Sequence, residues 1–487
     1  LTSVPYLSVG GNITTATVAA GGVSLVLTGV EFGMVLVSNG ATSYSAIKAK
    51  VGNASLNGIA GLGITVTDFY LSVNKTSSVT VGAPVLDFDA GGSQAGAAFS
   101  VTTGSTTPPV SLDFDGDEGS LLQVSGHIIL DVFGFVSLDG EFAFKKANGN
   151  FLLNDGTALT SVPYLSVGGN ITTATVAAGG VSLLLTGVEF GMVLVSNGAT
   201  SYSAIKAKVG NASLNGIAGL GITVTDFYLS VNKTSSVTIG APVLDFDAGG
   251  TQAGSAFSVT TGSTTPPVSL DFDGDEGSLL EVGGSIILDV FGFVTLDGSF
   301  NFKKASGDFV LTNASTHTST TLTNVPYIAI GGHINSAYAG VGGIGFTLTD
   351  VSVGAVMVST GGATPVNYMV LKATAASATF GGITGLTAEI RDLSVVVNKT
   401  SSTTALTTVL DFKDTTSNTT DNTATTRSIT TGPTSPSVDL DVDGYDGALL
   451  QVMTDLTLDV FGFVVLDGSF DFKKATALFA DPAFDGD

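Results

Sequence analysis

The chain of 487 residues has no cysteine and no tryptophan. Without thiols there is no disulfide scaffold, no thiol catalysis and no cysteine zinc site. Histidine is scarce: His127, His317 and His333 are the three present. A nearly identical second copy of the His127 surroundings carries Ser285 instead, so His127 is dispensable to whatever the two copies share. No Ser/His/Asp order, HExxH or GxSxG arrangement occurs, and the sequence points away from an enzyme. Charge is sparse, at 12% of residues against about 25% in an ordinary soluble protein. It is also one-sided, with 17 basic and 41 acidic residues and a net charge of −24. That balance repels phosphate backbones and excludes nucleic acid as a partner. No uncharged apolar run of about 18 residues appears, so no transmembrane helix is expected.

What is present is repetition. LTSVPYLSVGGNI at Leu1 returns at Leu159 and, more loosely, as LTNVPYIAIGGHI at Leu322. The copies span residues 1–158, 159–321 and 322–487 and are expected to be three β repeats. The first two differ at only four of their first 122 positions. The third has diverged but keeps VNKTSS (Val397–Ser402), LDVFGF (Leu458–Phe463) and FDFKKA (Phe470–Ala475). A whole number of copies without a distinct capping repeat is expected of a segment of a longer array.

Helix signals are missing, and the strand signal is strong. From Leu122 to Phe144 every even position is apolar or glycine, while the odd positions are mostly polar. Alternation at this period marks a half-buried strand. All six differences between copies one and two in this window fall on odd positions, which assigns the even face to the core. Turns are expected at Leu138–Glu141, with Gly140 as a bulge, and at Asn148-Gly149. Ten to twelve strands per copy follow. The fold class is all-β, three tandem antiparallel repeats of about 160 residues. Two architectures fit: a continuous stacked, solenoid-like meander, or tandem β-sandwiches.

The acidic residues gather in recurring segments. Copy one has Asp113, Asp115, Asp117 and Glu118; copy two has Asp271, Asp273, Asp275 and Glu276; copy three has Asp441, Asp443 and Asp446, with Tyr445 in place of Asp117. Clustered carboxylates favour a hard cation with oxygen ligands, and calcium is the candidate cofactor. The alternative is a solvated turn, for which Asp and Gly are normal formers. A second pair, Asp87 and Asp89, recurs as Asp245 and Asp247 and becomes Asp411 and Lys413; if it converges with the first cluster, the two could share one ion. The pairs Lys145-Lys146, Lys303-Lys304 and Lys473-Lys474 read as solvated edge charges or as salt-bridge partners of an acidic cluster in a neighbouring repeat or chain. Phe133, Phe135, Phe291, Phe293, Phe461 and Phe463 lie on the odd, polar face, which marks either an interface between sheets or chains or a strand buried on both sides.

The recurring Leu-Asp-Val-Phe-Gly-Phe-Val-x-Leu-Asp-Gly, the Phe-x-Phe-Lys-Lys that follows and the Asp-rich turn before it resemble the tandem repeats of very large secreted or surface proteins of Gram-negative bacteria. The resemblance implies an acidic, cysteine-free chain folded outside the cell, often with calcium. The GGxGxDxUx nonapeptide of the calcium β-roll is absent. The expected function is that of an extracellular structural protein: a surface fibre, matrix component or adhesin stalk that self-associates or packs against neighbouring repeats. The alternative is a binding module whose apolar sheet face forms a groove for lipid or glycan.

Overall fold

The computed structural model describes residues 1–475 apart from 2, 81, 90–95, 248, 250–253, 362–363, 403–407 and 414–424. Copy one contains β1 (Tyr6–Ala20), β2 (Val23–Asn39), β3 (Thr42–Asn57), β4 (Leu62–Thr76), β5 (Phe99–Val101), β6 (Val110–Leu112), β7 (Leu121–Val132) and β8 (Val136–Leu153). Copy two contains β9 (Ala158–Ala178), β10 (Val181–Asn197), β11 (Thr200–Asn215), β12 (Leu220–Thr234), β13 (Leu244–Asp245), β14 (Phe257–Val259), β15 (Val268–Leu270), β16 (Leu279–Val290) and β17 (Val294–Asn313). Copy three contains β18 (Thr318–Val341), β19 (Ile344–Ser359), β20 (Asn367–Gly381), β21 (Leu386–Thr400), β22 (Thr408–Asp411), β23 (Arg427–Ile429), β24 (Val438–Leu440), β25 (Leu449–Val460) and β26 (Val464–Lys474). The protein is all-β, as the alternation predicts. Twenty strands form one antiparallel sheet that does not close, a β-meander. No helix among the described residues is long and apolar enough to cross a membrane.

Each copy has eight or nine described strands rather than ten to twelve, because the long ones run 11–24 residues. By compactness the chain divides into two units: Leu1–Ala212 with Ser230–Val237 and Ala241–Asp275, and Ser213–Leu229 with Thr238–Gly240 and Glu276–Asp487.

In the first unit β1, β2, β3, β4, β7, β8, β9 and β10 follow one another by antiparallel pairing. The segment between β4 and β7, with the β5–β6 hairpin, lies over one face of this sheet. Its Val101, Leu112 and Phe114 pack on Val35 and Ala46, and all five are at most 3% exposed. Gly33 makes the approach possible: a Cβ there would come within 2.9 Å of Val110. The VGGN motif serves both faces. A Cβ on Gly10 would strike the Thr102 carbonyl of the insert, while a Cβ on Gly11 would enter the Phe32 ring on the opposite face. The second unit repeats the plan, with Ile429, Leu440 and Val442 over Val356 and Val370.

The covered face is the odd one. Leu121, Ala143 and Ala147 are buried on it, and Lys145 faces the insert. The assignment of the even face to the core is therefore corrected where the insert lies. Further along the strands odd Ile129, Asp131 and Ser137 are exposed, and even Gly126 and Gly140 are buried. The odd face carries small and polar residues, and these leave the room that the insert fills. Val124, Ile128, Leu130, Phe142 and Phe144 on the even face are half-buried, lying beside their neighbours in the sheet.

The turn that breaks the 23-residue run also moves. It sits at Phe133–Phe135, and β8 continues through both Asp139-Gly140 and Asn148-Gly149. Phe133 adopts φ +53 and Gly134 φ +67. Asp131 Oδ1 accepts from the Gly134 N–H at 2.9 Å, and the Phe133 ring lies on Gly61. Gly140 remains an irregularity, since the β8–β9 register shifts between Asp139 and Gly140.

Candidate functional site

The Asp-rich segment follows the insert's last strand and leads back into the sheet. In copy one Asp115 caps a 3-10 turn at Gly116–Glu118, its Oδ1 accepting from the Asp117 N–H at 2.8 Å. Asp273 and Asp443 likewise accept from the Asp275 and Tyr445 N–H groups, at 3.1 and 2.9 Å, and Asp443 caps a second 3-10 turn at Gly444–Asp446. The other carboxylates meet lysines from the sheet. Asp113 pairs with Lys48 of β3, and Glu118 with Lys145 of β8. Copy two repeats this as Lys206–Asp271 and Lys303–Glu276. In copy three Lys372 reaches Asp441 at 2.8 Å and Lys473 reaches Asp446 at 2.9 Å. Each acidic segment is thus pinned by two lysines of its own copy, rather than by a neighbouring repeat.

The first lysine of each Lys-Lys pair therefore lies on the covered face. Burial lowers the Lys145 pKa, but the Glu118 hydrogen bond and charge outweigh it and hold the ammonium above the ordinary lysine value. Lys303 is held up in the same way by Glu276. Lys145→Met is expected to cost about 1 kcal/mol, because it strands a partly buried carboxylate. Thermal melts of Lys145→Met and Lys146→Met compare the two neighbours, and only the first should lower the midpoint.

Two further anchors are not apparent from the acidic spacing. One is Lys48, the first of two lysines in β3, which recurs as Lys206 and Lys372. The other is the asparagine of VNKTSS. Asn74, Asn232 and Asn398 are at most 1% exposed and donate to the insert carbonyls of Leu86, Leu244 and Leu410 at 2.6–2.7 Å. The recurrence of VNKTSS in all three copies is the signal that marks this anchor.

The second acidic pair does come close to the first. Phe88 N–H donates to the Phe114 carbonyl at 2.8 Å, and Phe246 N–H to the Phe272 carbonyl at 2.6 Å. Asp245 is 1% exposed, and its Oδ2 has no hydrogen-bond partner. Burial, and then the charges of Asp275, Asp273 and Asp247, push its carboxyl above the usual range against the Asp247 N–H that it accepts at 3.1 Å. Asp411 in copy three is instead given a donor, the Thr312 hydroxyl at 2.6 Å. Among the described residues no three Asp, Glu or His side chains gather in a way that could hold a metal ion.

A raised carboxyl pKa means that the folded state holds the proton more tightly than the unfolded one. Stability then rises as pH falls from the raised value toward the ordinary carboxylate range. Asp245→Asn is expected to remove this slope and to leave the protein as stable, or about 1 kcal/mol more stable, at neutral pH. Melts of both proteins across the acidic range read it directly.

The phenylalanines lie in the turns between paired strands. Phe133 and Phe135 are 59% and 57% exposed, Phe291 and Phe293 58% and 50%, Phe461 and Phe463 56% and 88%. Their backbone is nonetheless tied. Phe133 N–H donates to Gly61 and the Phe135 carbonyl accepts from Ala177.

The even face is the largest chemical feature of the first unit. Row by row it reads Gly11, Phe32, Ala49, Leu71, Val124, Phe144, Val167 and Met192, then Ala16, Leu27, Ala54, Val66, Ile128, Gly140, Ile171 and Val188. The following row, from Val18 and Leu25 through Leu130 and Leu138, is equally apolar. Lys146, the second lysine of its pair, borders the band and is exposed. A shallow groove in this face is lined by Val66, Phe69, Val124, Ile128, Phe142 and Val167, among others. No family model matches the chain, and no curated protein matches it.

Proposed function

We propose that the chain is a non-enzymatic, repetitive structural protein working outside the cell as a surface fibre, matrix component or adhesin stalk, and that it assembles through the apolar face of its sheet. The observation that carries the proposal is that face. With strands about 4.8 Å apart and residues about 3.4 Å along each, eight strands by ten residues offer roughly 1,300 Å². A stable interface takes about 800 Å² from each partner. The rows carry no acidic side chain, so the net charge of −24 lies away from the packing surface. Sheets stacked face to face at about 10 Å would bury the rows as a sandwich core. Light scattering across a dilution series tests this. Mass rising with concentration supports it, and a constant monomer mass removes it.

The groove lined by Val66, Phe142 and Val167 favours a second reading, an apolar ligand such as a fatty acid. A thermal shift of delipidated protein with fatty acid would promote that reading. Calcium belongs to the proposal at Asp245, where a cation would supply the partner that Oδ2 lacks. A calcium-dependent rise in midpoint that Asp245→Asn abolishes supports it, and identical midpoints with calcium and with chelator end it.

A further inference from the structure

We infer that β26 is a docking edge for β1 of a second copy of this chain, paired in the register that β8 makes with β9 and β17 makes with β18. The inference deepens the assembly reading above by naming a second contact, at the edge of the sheet rather than on its face.

Among the described strands β1 pairs with β2 alone, and β26 with β25 alone. Edges left open are normally blunted by lysine, proline or a bulge. β1 carries no charged residue and no proline from Tyr6 to Ala20. The structure also shows twice what such an edge accepts. Val136 faces Val176, Phe142 faces Gly169 and Phe144 faces Val167. Phe300 faces Gly332 and Phe302 faces Ile330 in the next junction. By the repeat, Val464 would face Val18, Phe470 would face Gly11 and Phe472 would face Val9.

Three observations at the edges fit that pairing. First, Tyr6 is 61% exposed, while its counterparts Tyr164 and Tyr327, at internal junctions, are 8% and 4% exposed. Tyr164 packs edge-on against Phe151 of the preceding copy and Phe257 of its own insert, each at 5.5 Å. Tyr6 has the insert partner, Phe99 at 5.5 Å. In sequence the phenylalanine four residues after Lys-Lys-Ala is kept in every copy, as Phe151, Phe309 and Phe479.

Second, Phe470 and Phe472 are 50% and 57% exposed, whereas Phe142 and Phe144 are half-buried. Third, Gly468 has open space around it. A Cβ on its counterpart Gly140 would lie 2.8 Å from Ile171 Cα, and one on Gly298 would lie 2.6 Å from the His333 carbonyl. Inside the array that glycine makes room for the next copy's first strand. At Gly468 the room is there, and β1 of a second copy fits it.

The cysteine-free chain allows a direct test. Two single-cysteine full-length proteins, Asn12→Cys with a mass tag and Ser469→Cys, are mixed and oxidised. In the inferred register these positions are directly opposite, as Asn170 and Glu141 are. Ser8→Cys mixed with Ser469→Cys is four residues out of register, roughly 13 Å, and beyond disulfide reach. The expected result is a mixed disulfide from the first pair and none from the second. Gly468→Val in the Ser469→Cys partner should abolish the product while leaving the circular dichroism spectrum and melt unchanged. Equal yields from both pairs, or a product that survives Gly468→Val, overturns edge pairing. A native chain that associates while the aligned cysteines stay reduced removes edge pairing alone. A chain that stays monomeric at every concentration removes edge pairing and the assembly reading together.

Discussion

Gly168→Val is expected to destabilise the second copy by about 3 kcal/mol, the upper end for overpacking a filled site. Gly168 is the first glycine of the second VGGN motif, and a side chain there would run into the Thr260 backbone carbonyl. Backbone cannot rotate aside as a side-chain tip can. The insert must therefore lift, and with it go Val259 and Leu270, both fully buried. Limited proteolysis should cut the 235–278 segment in the variant before the native protein is touched. Gly381→Ala is the control. No atom lies near a Cβ there, and stability should change by no more than about 0.5 kcal/mol. Equal resistance of Gly168→Val and native protein would mean that the insert is not held against the sheet as described.

The second large effect concerns association. Val124→Asp combined with Ile128→Asp places two carboxylates on the apolar face, one on either side of the Gly126–Phe142 row. In the free chain both positions are half-buried and reach water, so the fold should tolerate the change. In a face-to-face assembly each carboxylate would be buried without a partner, at a cost of several kcal/mol. Association should weaken by at least about 100-fold, read by sedimentation equilibrium, with the melt of the dilute protein little altered. Asp substitutions at Thr173 and Thr175, whose β8 partners Asp139 and Ser137 sit on the polar face, should leave association intact.

The period-two pattern read the strands correctly because side-chain direction in a strand alternates whatever lies on either side. It could not tell which face would be covered. Even positions such as Val124 and Phe142 have the composition of a core, yet the insert brings its own apolar residues, Val101, Leu112 and Phe114, to the other face. That face is lined by Gly10, Gly33 and Ala143, whose small size is what admits it. Clean differences between copies on the odd face read as the mark of solvent, but Gln123/Glu281 and Ala143/Asn301 vary beside an insert that accommodates them.

The turn was misplaced for a related reason. Asp-Gly is a strong hairpin signal, but the pairing of β8 with β9 carries Asp139-Gly140 through as a register shift. The real turn uses Phe133 at positive φ, a cost met by the Asp131 cap and the stack on Gly61. The acidic segments were legible as clusters. Of their lysine partners, Lys145, Lys303 and Lys473 were legible as salt-bridge candidates, though the acidic segment they meet is their own copy's. Lys48 was not, because it lies 65 residues from Asp113 and only the folded sheet brings them together.

The most direct test of the central claim is electron microscopy of the native chain beside the Val124→Asp, Ile128→Asp variant at the same concentration. Assembly through the apolar face predicts extended, layered particles for the native protein and dispersed single chains for the variant. Monodisperse single chains in both preparations, or identical assemblies in both, would contradict it.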